Sequence, residues 1–199
     1  ARQKDAERKS RTENPSDIFG IPVLLKDNIN TAGIPTSAGA AALADFIPAK
    51  DADLAANLKN CGAIILGKNN LSELAGYMSS IAPAGYSNVK GTNHQPFRAF
   101  KNLGIWLQQR KRFSVTANLT PGSIGTETDG SITAPHPRSV VGFKRPVPPS
   151  PLQASSPSYG RLIPPGPIAK SVQDAAVVYN AMSGQSLNPE WDKDYLQGK

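Results

Sequence analysis

A short apolar run at residues 20–26 predicts a buried strand. The run, GIPVLLK, begins at Gly20 and is followed by the polar residues Asp27 and Asn28. A continuous apolar stretch that is bounded by turn residues is typical of a strand inside a sheet. A second run of this kind, AIILGK at residues 63–68, predicts a second strand.

A helix is predicted between these two strands. Three apolar side chains recur at the i, i+4, i+7 spacing of one helix face: Leu54, Leu58 and Cys61. Asp51 or Asp53 can cap the start of this helix, because a carboxylate there accepts a backbone N–H of the first turn. Gly62 is the expected end.

Two capping boxes predict two further helices. Asn70, with Glu73 three residues later, predicts the start of a helix over residues 71–78, LSELAGYM. Ser171 and Asp174 form a second box before the run VQDAAVVYNAMS, and the next residue is a glycine, the usual stop signal. The order strand, helix, strand, helix indicates an α/β fold.

Two stretches do not fit this pattern. Residues 98–113 are basic and aromatic without a clean period, and residues 145–165 are rich in proline and polar residues. Each is interpreted as a surface loop or linker.

Composition narrows the possible classes of protein. The chain has 199 residues, a net charge of +7 and a single cysteine, Cys61. One cysteine excludes an intramolecular disulfide framework and a CxxC metal site, and it mildly favours the cytoplasm. The basic residues do not form a stripe with aromatics, so we expect no nucleic-acid partner.

The charged N-terminal segment predicts neither a signal peptide nor a membrane span, and the missing initiator Met suggests a start inside a longer protein.

Candidate chemistry centres on Ser131 in the segment GTETDGSITAP. Small residues before a nucleophile let several backbone N–H groups converge on a developing oxyanion, although the same residues are also common in plain turns. The two histidines, His94 and His136, have no partner acid at a recognisable spacing. Lys26 is an alternative base, because burial after an apolar run lowers a lysine pKa. The competing interpretation is a strand-end lysine whose ammonium reaches solvent.

These segments together resemble the amidase signature family. GIPVLLKDNI and GTETDGSITAP...VVGFK are similar to the two ends of the family's signature, and the similarity runs from about Phe19 to Gly184. The resemblance implies an α/β fold with a mixed sheet covered by helices, present here as a single partial domain over residues 1–199. It implies an amide hydrolase that cleaves a C–N bond of a small-molecule or peptide amide through an acyl-enzyme, without metal or cofactor.

The resemblance also implies roles for individual residues. Lys26 would be the base of a Ser-Ser-Lys triad and Ser131 its acylated nucleophile. The backbone around three residues would form the oxyanion hole: Thr128, Asp129 and Gly130. Met78 and Ser79 would line the substrate pocket, although a plain helix end is an equally good interpretation of that turn.

This chain departs from the family at the bridging serine. The resemblance places that serine at position 107, where the chain has Leu107. Codon degeneracy allows a reading frame moved by one base to encode Gly-Ser-Ser-Ser-Gly-Ser over residues 106–111, and a second shift near residues 159–167 restores another family segment. Thr133 also replaces an arginine that family members often carry. The alternative function is therefore a catalytically inactive fragment or the product of a disrupted gene.

Overall fold

The computed structural model describes residues 16–76, 81, 85–91, 114–127, 130–133, 140–144 and 163–184. The basic stretch that begins at residue 98 lies outside the described residues, as does the proline-rich stretch up to residue 162. Residues 163–165 are not a linker, because Ile163 is buried and Pro165 opens a strand of the sheet.

In the described part of the chain, five strands form one mixed sheet in the order β2-β1-β3-β5-β4. Their bounds are β1 Pro22–Lys26, β2 Ile64–Asn69, β3 Gly122–Thr126, β4 Val141–Gly142 and β5 Pro165–Ala169. Strand β1 is parallel to both β2 and β3, while β5 is antiparallel to β3 and β4. The predicted α/β fold with a mixed sheet is confirmed, including both strands expected from the apolar runs.

Two α-helices have both ends within the described residues, α1 at Asp53–Asn60 and α2 at Val172–Ser183. Residues 114–116 are helical as well. The start of α2 is capped as predicted, since the Ser171 hydroxyl accepts the Asp174 N–H at 3.0 Å. Gly184 ends α2 with a φ of +67°, in the left-handed conformation that glycine adopts without a Cβ penalty. Among the described residues, no helix has the length and apolar character needed to cross a membrane.

The expected aspartate cap of α1 is wrong. Ala52 occupies the N-cap position without a side-chain hydrogen bond, and Asp53 is already inside the first turn. The Asp51 carboxylate is engaged elsewhere, because it accepts the Ala32 N–H at 2.8 Å and pairs with Lys59 at 2.7 Å. The Asp51 side chain, which the local pattern assigned to the helix cap, is thus bound to Ala32 and Lys59 instead.

The helix predicted over residues 71–78 is also wrong where the structure describes it, at residues 71–76. Glu73–Gly76 form a 3₁₀ turn, and Leu74 and Ala75 have φ values of +45° and +59°. The Glu73 N–H donates to the Tyr86 carbonyl at 2.8 Å instead of to a capping side chain. Pairing with the segment around Tyr86 therefore overrides the local helix signal.

Side chains alternate between two apolar clusters on the sheet. The larger cluster joins residues of β1 and β3 to both helices, including Val23, Leu25, Leu54, Leu58, Ile124, Val178 and Met182. The Asn57 side chain ties α1 to α2 by donating to the Met182 carbonyl at 3.1 Å. A smaller cluster contains Val115, Ile132 and Ile168. Ile168 of β5 pairs with Ser123, which is next to Ile124 in β3. Because successive strand residues point to opposite faces, Ile168 and Ile124 belong to different clusters.

Strand β2 lies at one end of the described sheet and contains an irregular position. Val23 pairs with Ile65, whereas the next residue of β1, Leu24, pairs with Gly67. Leu66 is therefore an extra residue of the bulge type, and its side chain is 57% exposed.

We expect Gly62→Ala to lower the free energy of unfolding by about 3 kcal/mol, because a left-handed residue with a Cβ is strained and the added atom meets a buried ring. Gly62 has a φ of +80°, and its Cβ would lie 2.2 Å from the Phe19 ring. Gly33→Ala is the matched control, since Gly33 has a φ of +78° and nothing within 4 Å. It should cost only about 1 kcal/mol in urea unfolding. Equal losses for the two variants would contradict the packing argument.

Candidate active site

The carboxyl ends of three parallel strands meet at one edge of the sheet. Their last residues are Asn69 of β2, Lys26 of β1 and Thr126 of β3, and all three are buried. Lys26 pairs directly with Asn69 in the ladder. In open α/β sheets this edge is where ligands bind, so the polar residues gathered here define the candidate site.

The Lys26 ammonium is held inside the protein by Thr126. The side chain is 2% exposed, and its Nζ donates to the Thr126 carbonyl at 3.0 Å and to Thr126 Oγ1 at 2.8 Å. Asn28 supports the same hydroxyl, because its Nδ2 donates to Thr126 Oγ1 at 3.0 Å. The interpretation of Lys26 as a strand-end lysine that reaches solvent is wrong.

Ser131 follows β3 by five residues and lies half-buried in a turn. Gly130 precedes it with a φ of +66°, which lets the backbone curl sharply after the strand. Because β1 and β3 are neighbours, the structure brings Lys26 to the strand that leads into Ser131. The other predicted site positions lie outside the described residues, and their roles remain predictions: Met78, Ser79, Leu107, Thr128 and Asp129.

Glu127 is a site residue that the sequence pattern did not indicate. Its carboxylate is 2% exposed and accepts the backbone N–H groups of Ile132 and Thr133. It also accepts Thr133 Oγ1 at 2.8 Å and pairs with Lys144 Nζ at 2.9 Å. Burial by itself would raise the pKa of Glu127, but the hydrogen bonds from Lys144, Thr133 and Ile132 outweigh it and lower this pKa to about 2.

The turn after Ser131 also packs against the sheet. Ile132 is 1% exposed and belongs to the smaller apolar cluster with Ile168. A Cβ on Gly142 of β4 would lie only 2.3 Å from the Ile132 carbonyl oxygen, so the turn sits directly on the β4 backbone. The polypeptide on the C-terminal side of Ser131 is therefore confined by close packing as well as by hydrogen bonds.

Strand β2 carries a second lysine with a buried side chain, Lys68, which pairs with Leu25 in the ladder. Lys68 Nζ donates to the Ile29 carbonyl and to Thr36 Oγ1 at 2.9 Å, and it approaches Asp27 Oδ1 to 3.8 Å. Burial lowers the pKa of Lys68 to about 8 and raises the pKa of Asp27, although the Ser37 hydroxyl and the Lys68 charge oppose the rise. This pair fixes the segment that leaves β1 toward residue 36.

One sequence signal could have identified Lys68. Like Lys26, it follows an apolar strand run directly, in AIILGK. Glu127 and Asn28 carry no comparable signal, because they stand among polar residues that are ordinary in loops. Within the described ranges, no group of three or more His, Cys, Asp or Glu side chains could hold a metal ion.

Comparison with known proteins assigns the chain to a family. The family model for amidases matches residues 1–98 and 113–197, so the chain belongs to the amidase family. The break in the match, at residues 99–112, falls inside the basic and aromatic stretch that departs from the expected pattern. This stretch contains position 107.

Individual relatives agree with this assignment. A probable amidase of Arabidopsis thaliana is 38% identical over 91% of this chain and 35% of its own length. The mandelamide hydrolase of Pseudomonas putida is 32% identical over 86% of this chain and 34% of its own length. The crystal structure of the native peptide amidase from Stenotrophomonas maltophilia superposes with a TM-score of 0.72 and 34% identity, covering 98% of this chain and 39% of that enzyme. The chain thus spans little more than a third of the length of these relatives.

We expect Lys68→Met to lower the free energy of unfolding by about 3 kcal/mol, because it leaves the Asp27 carboxyl group buried without its cation. In a double-mutant cycle, Asp27→Asn should recover part of this loss. The matched control is the pair of Asp51 and Lys59, whose side chains are 19% and 38% exposed and whose coupling should stay below about 1 kcal/mol. Urea unfolding measures the coupling free energy in both cycles. Equally small values would contradict the expectation that the buried pair of Lys68 and Asp27 contributes more to stability than the control pair.

Glu127 should make the protein sensitive to acid. Its pKa is about 2 in the folded state and 4.5 in the absence of these contacts, so its stabilisation is fully present above pH 4.5 and disappears as the pH falls through 2. The loss is on the order of 3 kcal/mol, and Glu127→Gln should remove this part of the pH dependence.

The measurement is urea unfolding of both proteins between about pH 6 and about pH 2.5. Asp45→Asn, which removes an exposed carboxyl group, controls for the change in net charge. If Glu127→Gln and the unmodified protein lose stability in parallel over this range, the carboxylate is not the acid-sensitive group.

Proposed function

We propose that this chain carries the lysine and the serine of an amide-hydrolysing site. One observation supports the proposal more than any other. The side-chain nitrogen of Lys26 is buried at the carboxyl edge of the sheet and bonded to Thr126, the last residue of the strand that leads to Ser131. Serine activation by lysine needs a buried basic side chain within reach of the serine, and the contact of Lys26 with the strand that leads to Ser131 supports such an arrangement.

The proposed reaction starts from the neutral amine of Lys26, the form that burial favours over the ammonium. In this form its two N–H groups donate to Thr126, and the nitrogen lone pair can accept a proton. Ser131 Oγ forms a bond to the carbonyl carbon of an amide while its proton passes, through a hydroxyl or water relay, to this amine. The electron pair of the C=O bond moves onto the carbonyl oxygen, and the backbone N–H groups around Thr128, Asp129 and Gly130 stabilise the resulting oxyanion. When the C–N bond breaks, the leaving amine takes the proton back. Water then attacks the acyl-enzyme and releases the acid, which regenerates the Ser131 hydroxyl.

The substrate proposed is a small-molecule or peptide amide, in keeping with the mandelamide hydrolase and the peptide amidase that the chain resembles. Met78 and Ser79 are proposed to line the pocket. The chemistry assigned to Lys26 and Ser131 needs no organic cofactor. The free thiol of Cys61 is compatible with the cytoplasm, which we propose as the compartment.

A second candidate function is a catalytically inactive amidase fragment. The observation that favours it is the coincidence of two features, namely the break in the family match over residues 99–112 and the leucine at position 107. A serine at this position would pass the proton between Lys26 and Ser131. Loss of one member of such a unit typically costs several orders of magnitude in rate.

Reaction with a fluorophosphonate probe tests the proposed function. The purified chain should be labelled, Ser131→Ala should not be labelled at all, and Lys26→Met should react about 1,000-fold more slowly or worse. Ser171→Ala is the matched control, because it removes an exposed hydroxyl group far from the site and should react like the unmodified chain.

A restored variant distinguishes the two candidate functions. Replacing residues 106–111 by Gly-Ser-Ser-Ser-Gly-Ser places a serine at position 107. If only the restored variant is labelled, and circular dichroism shows that the unmodified chain is folded, the inactive-fragment interpretation holds. If neither folded protein is labelled, amide hydrolysis by Lys26 and Ser131 is refuted.

A further inference from the structure

We propose that Glu127 is the residue that positions Ser131, by holding the backbone on the C-terminal side of this serine in one conformation. The inference rests on the proposed function, because it concerns the same nucleophile. It adds a buried carboxylate as a positioning residue of the site.

The contacts of Glu127 close a small loop around Ser131. Glu127 is the residue directly after β3, and its carboxylate accepts the N–H groups of Ile132 and Thr133, the two residues that follow the serine. The Thr133 hydroxyl donates to the same carboxylate at 2.8 Å. The chain therefore leaves the strand at Glu127, passes through Ser131 and returns to the side chain from which it started.

This arrangement limits which backbone groups can bind an oxyanion. The N–H groups of Ile132 and Thr133 point to Glu127, so they are not available to a substrate carbonyl oxygen. Backbone donors for the oxyanion are therefore proposed on the N-terminal side of the turn, where Gly130 has a φ of +66°. Glu127 thus binds the N–H groups of Ile132 and Thr133, which have a structural role, and leaves those around residues 128–130 for the proposed oxyanion hole.

Lys144 connects the loop to the far end of the sheet. It follows β4, and its Nζ reaches Glu127 Oε1 at 2.9 Å. Gly142 of β4 already lies against the Ile132 carbonyl, so the same strand contacts the turn through backbone packing and through this ion pair. Because the low pKa of Glu127 keeps it ionised, all four donors face a full negative charge over the working pH range of most enzymes.

A purely structural role for Glu127 predicts different behaviour from a positioning role. If the carboxylate only stabilises the fold, its loss should act like any other destabilising change and leave the reactivity of folded molecules unaltered. If it positions Ser131, its loss should loosen the local backbone and slow the chemical step while the affinity for a probe is kept. A misplacement of about 1 Å can reduce a rate by about 100-fold.

Amide hydrogen exchange tests the local effect without requiring activity. In Glu127→Gln, the amides of Ile132 and Thr133 should exchange at least about tenfold faster, since a neutral acceptor holds them less strongly. The amides of Leu25 and Ile65 in the sheet should be unchanged. Thr133→Val and Lys144→Met each remove one side-chain donor to Glu127, so they should show smaller effects and provide evidence even if Glu127→Gln folds poorly. Unchanged exchange at Ile132 and Thr133 in all three variants would overturn the proposal.

Fluorophosphonate kinetics test the effect on the nucleophile. Glu127→Gln should lower the maximal labelling rate by about 100-fold and change the half-saturating probe concentration by less than about twofold. Ser171→Ala is the control for lost stability, since it removes a helix cap of about 1 kcal/mol at a remote site and should keep the full rate. A full rate in folded Glu127→Gln would refute positioning. If the unmodified and restored chains both fail to react, the proposed function fails, while hydrogen exchange still decides whether Glu127 holds the turn.

Discussion

The bond between the Lys26 ammonium and Thr126 is the interaction on which the site depends. Taking an ammonium group out of water costs several kcal/mol unless acceptors replace the lost hydration. Here the carbonyl and the hydroxyl of one residue supply two acceptors, and both come from the neighbouring parallel strand. The pairing of β1 with β3 therefore determines where the charge is placed, and the turn that carries Ser131 begins at the same point.

Buried charge recurs around this edge of the sheet. Lys68 is paired with Asp27, the first residue after β1, and Lys144 is paired with Glu127, the first residue after β3. Both carboxylates come directly after the last residue of a strand. The loops that follow β1 and β3 are thus each held by an ion pair at their first residue, and such rigidity is what a precisely arranged active site needs.

The parts of the fold that the sequence predicted are those with a strong local pattern. Strands β1 and β2 stand out as apolar runs, and α2 has both its cap and its stop residue. Strands β3 and β5 were missed, although every residue in them is buried, because GSIGT and PGPIA consist mainly of glycine, proline and small residues. Their place in the sheet follows from pairing with distant strands, which no local window contains.

The same distinction applies to the candidate site. Lys26 and Ser131 could be proposed because one follows an apolar run and the other lies in a glycine turn, and the family resemblance joined them. The role of Glu127 depends on the direction of its side chain and on Lys144, which is brought near by the antiparallel pairing of β4 and β5. That information exists only in the folded chain.

The bulge at Leu66 affects whether strand β2 can pair with a strand of another molecule. A terminal strand with a regular row of free N–H and C=O groups can recruit a strand from another molecule and so begin aggregation. The extra residue interrupts the ladder register between Val23 and Leu24 and raises the local twist of β2. Strand β2 is the last strand of the sheet among the described residues, and its irregular register offers an incoming strand no straight template along Ile64–Asn69. This counteracts the attraction of the exposed leucine side chain.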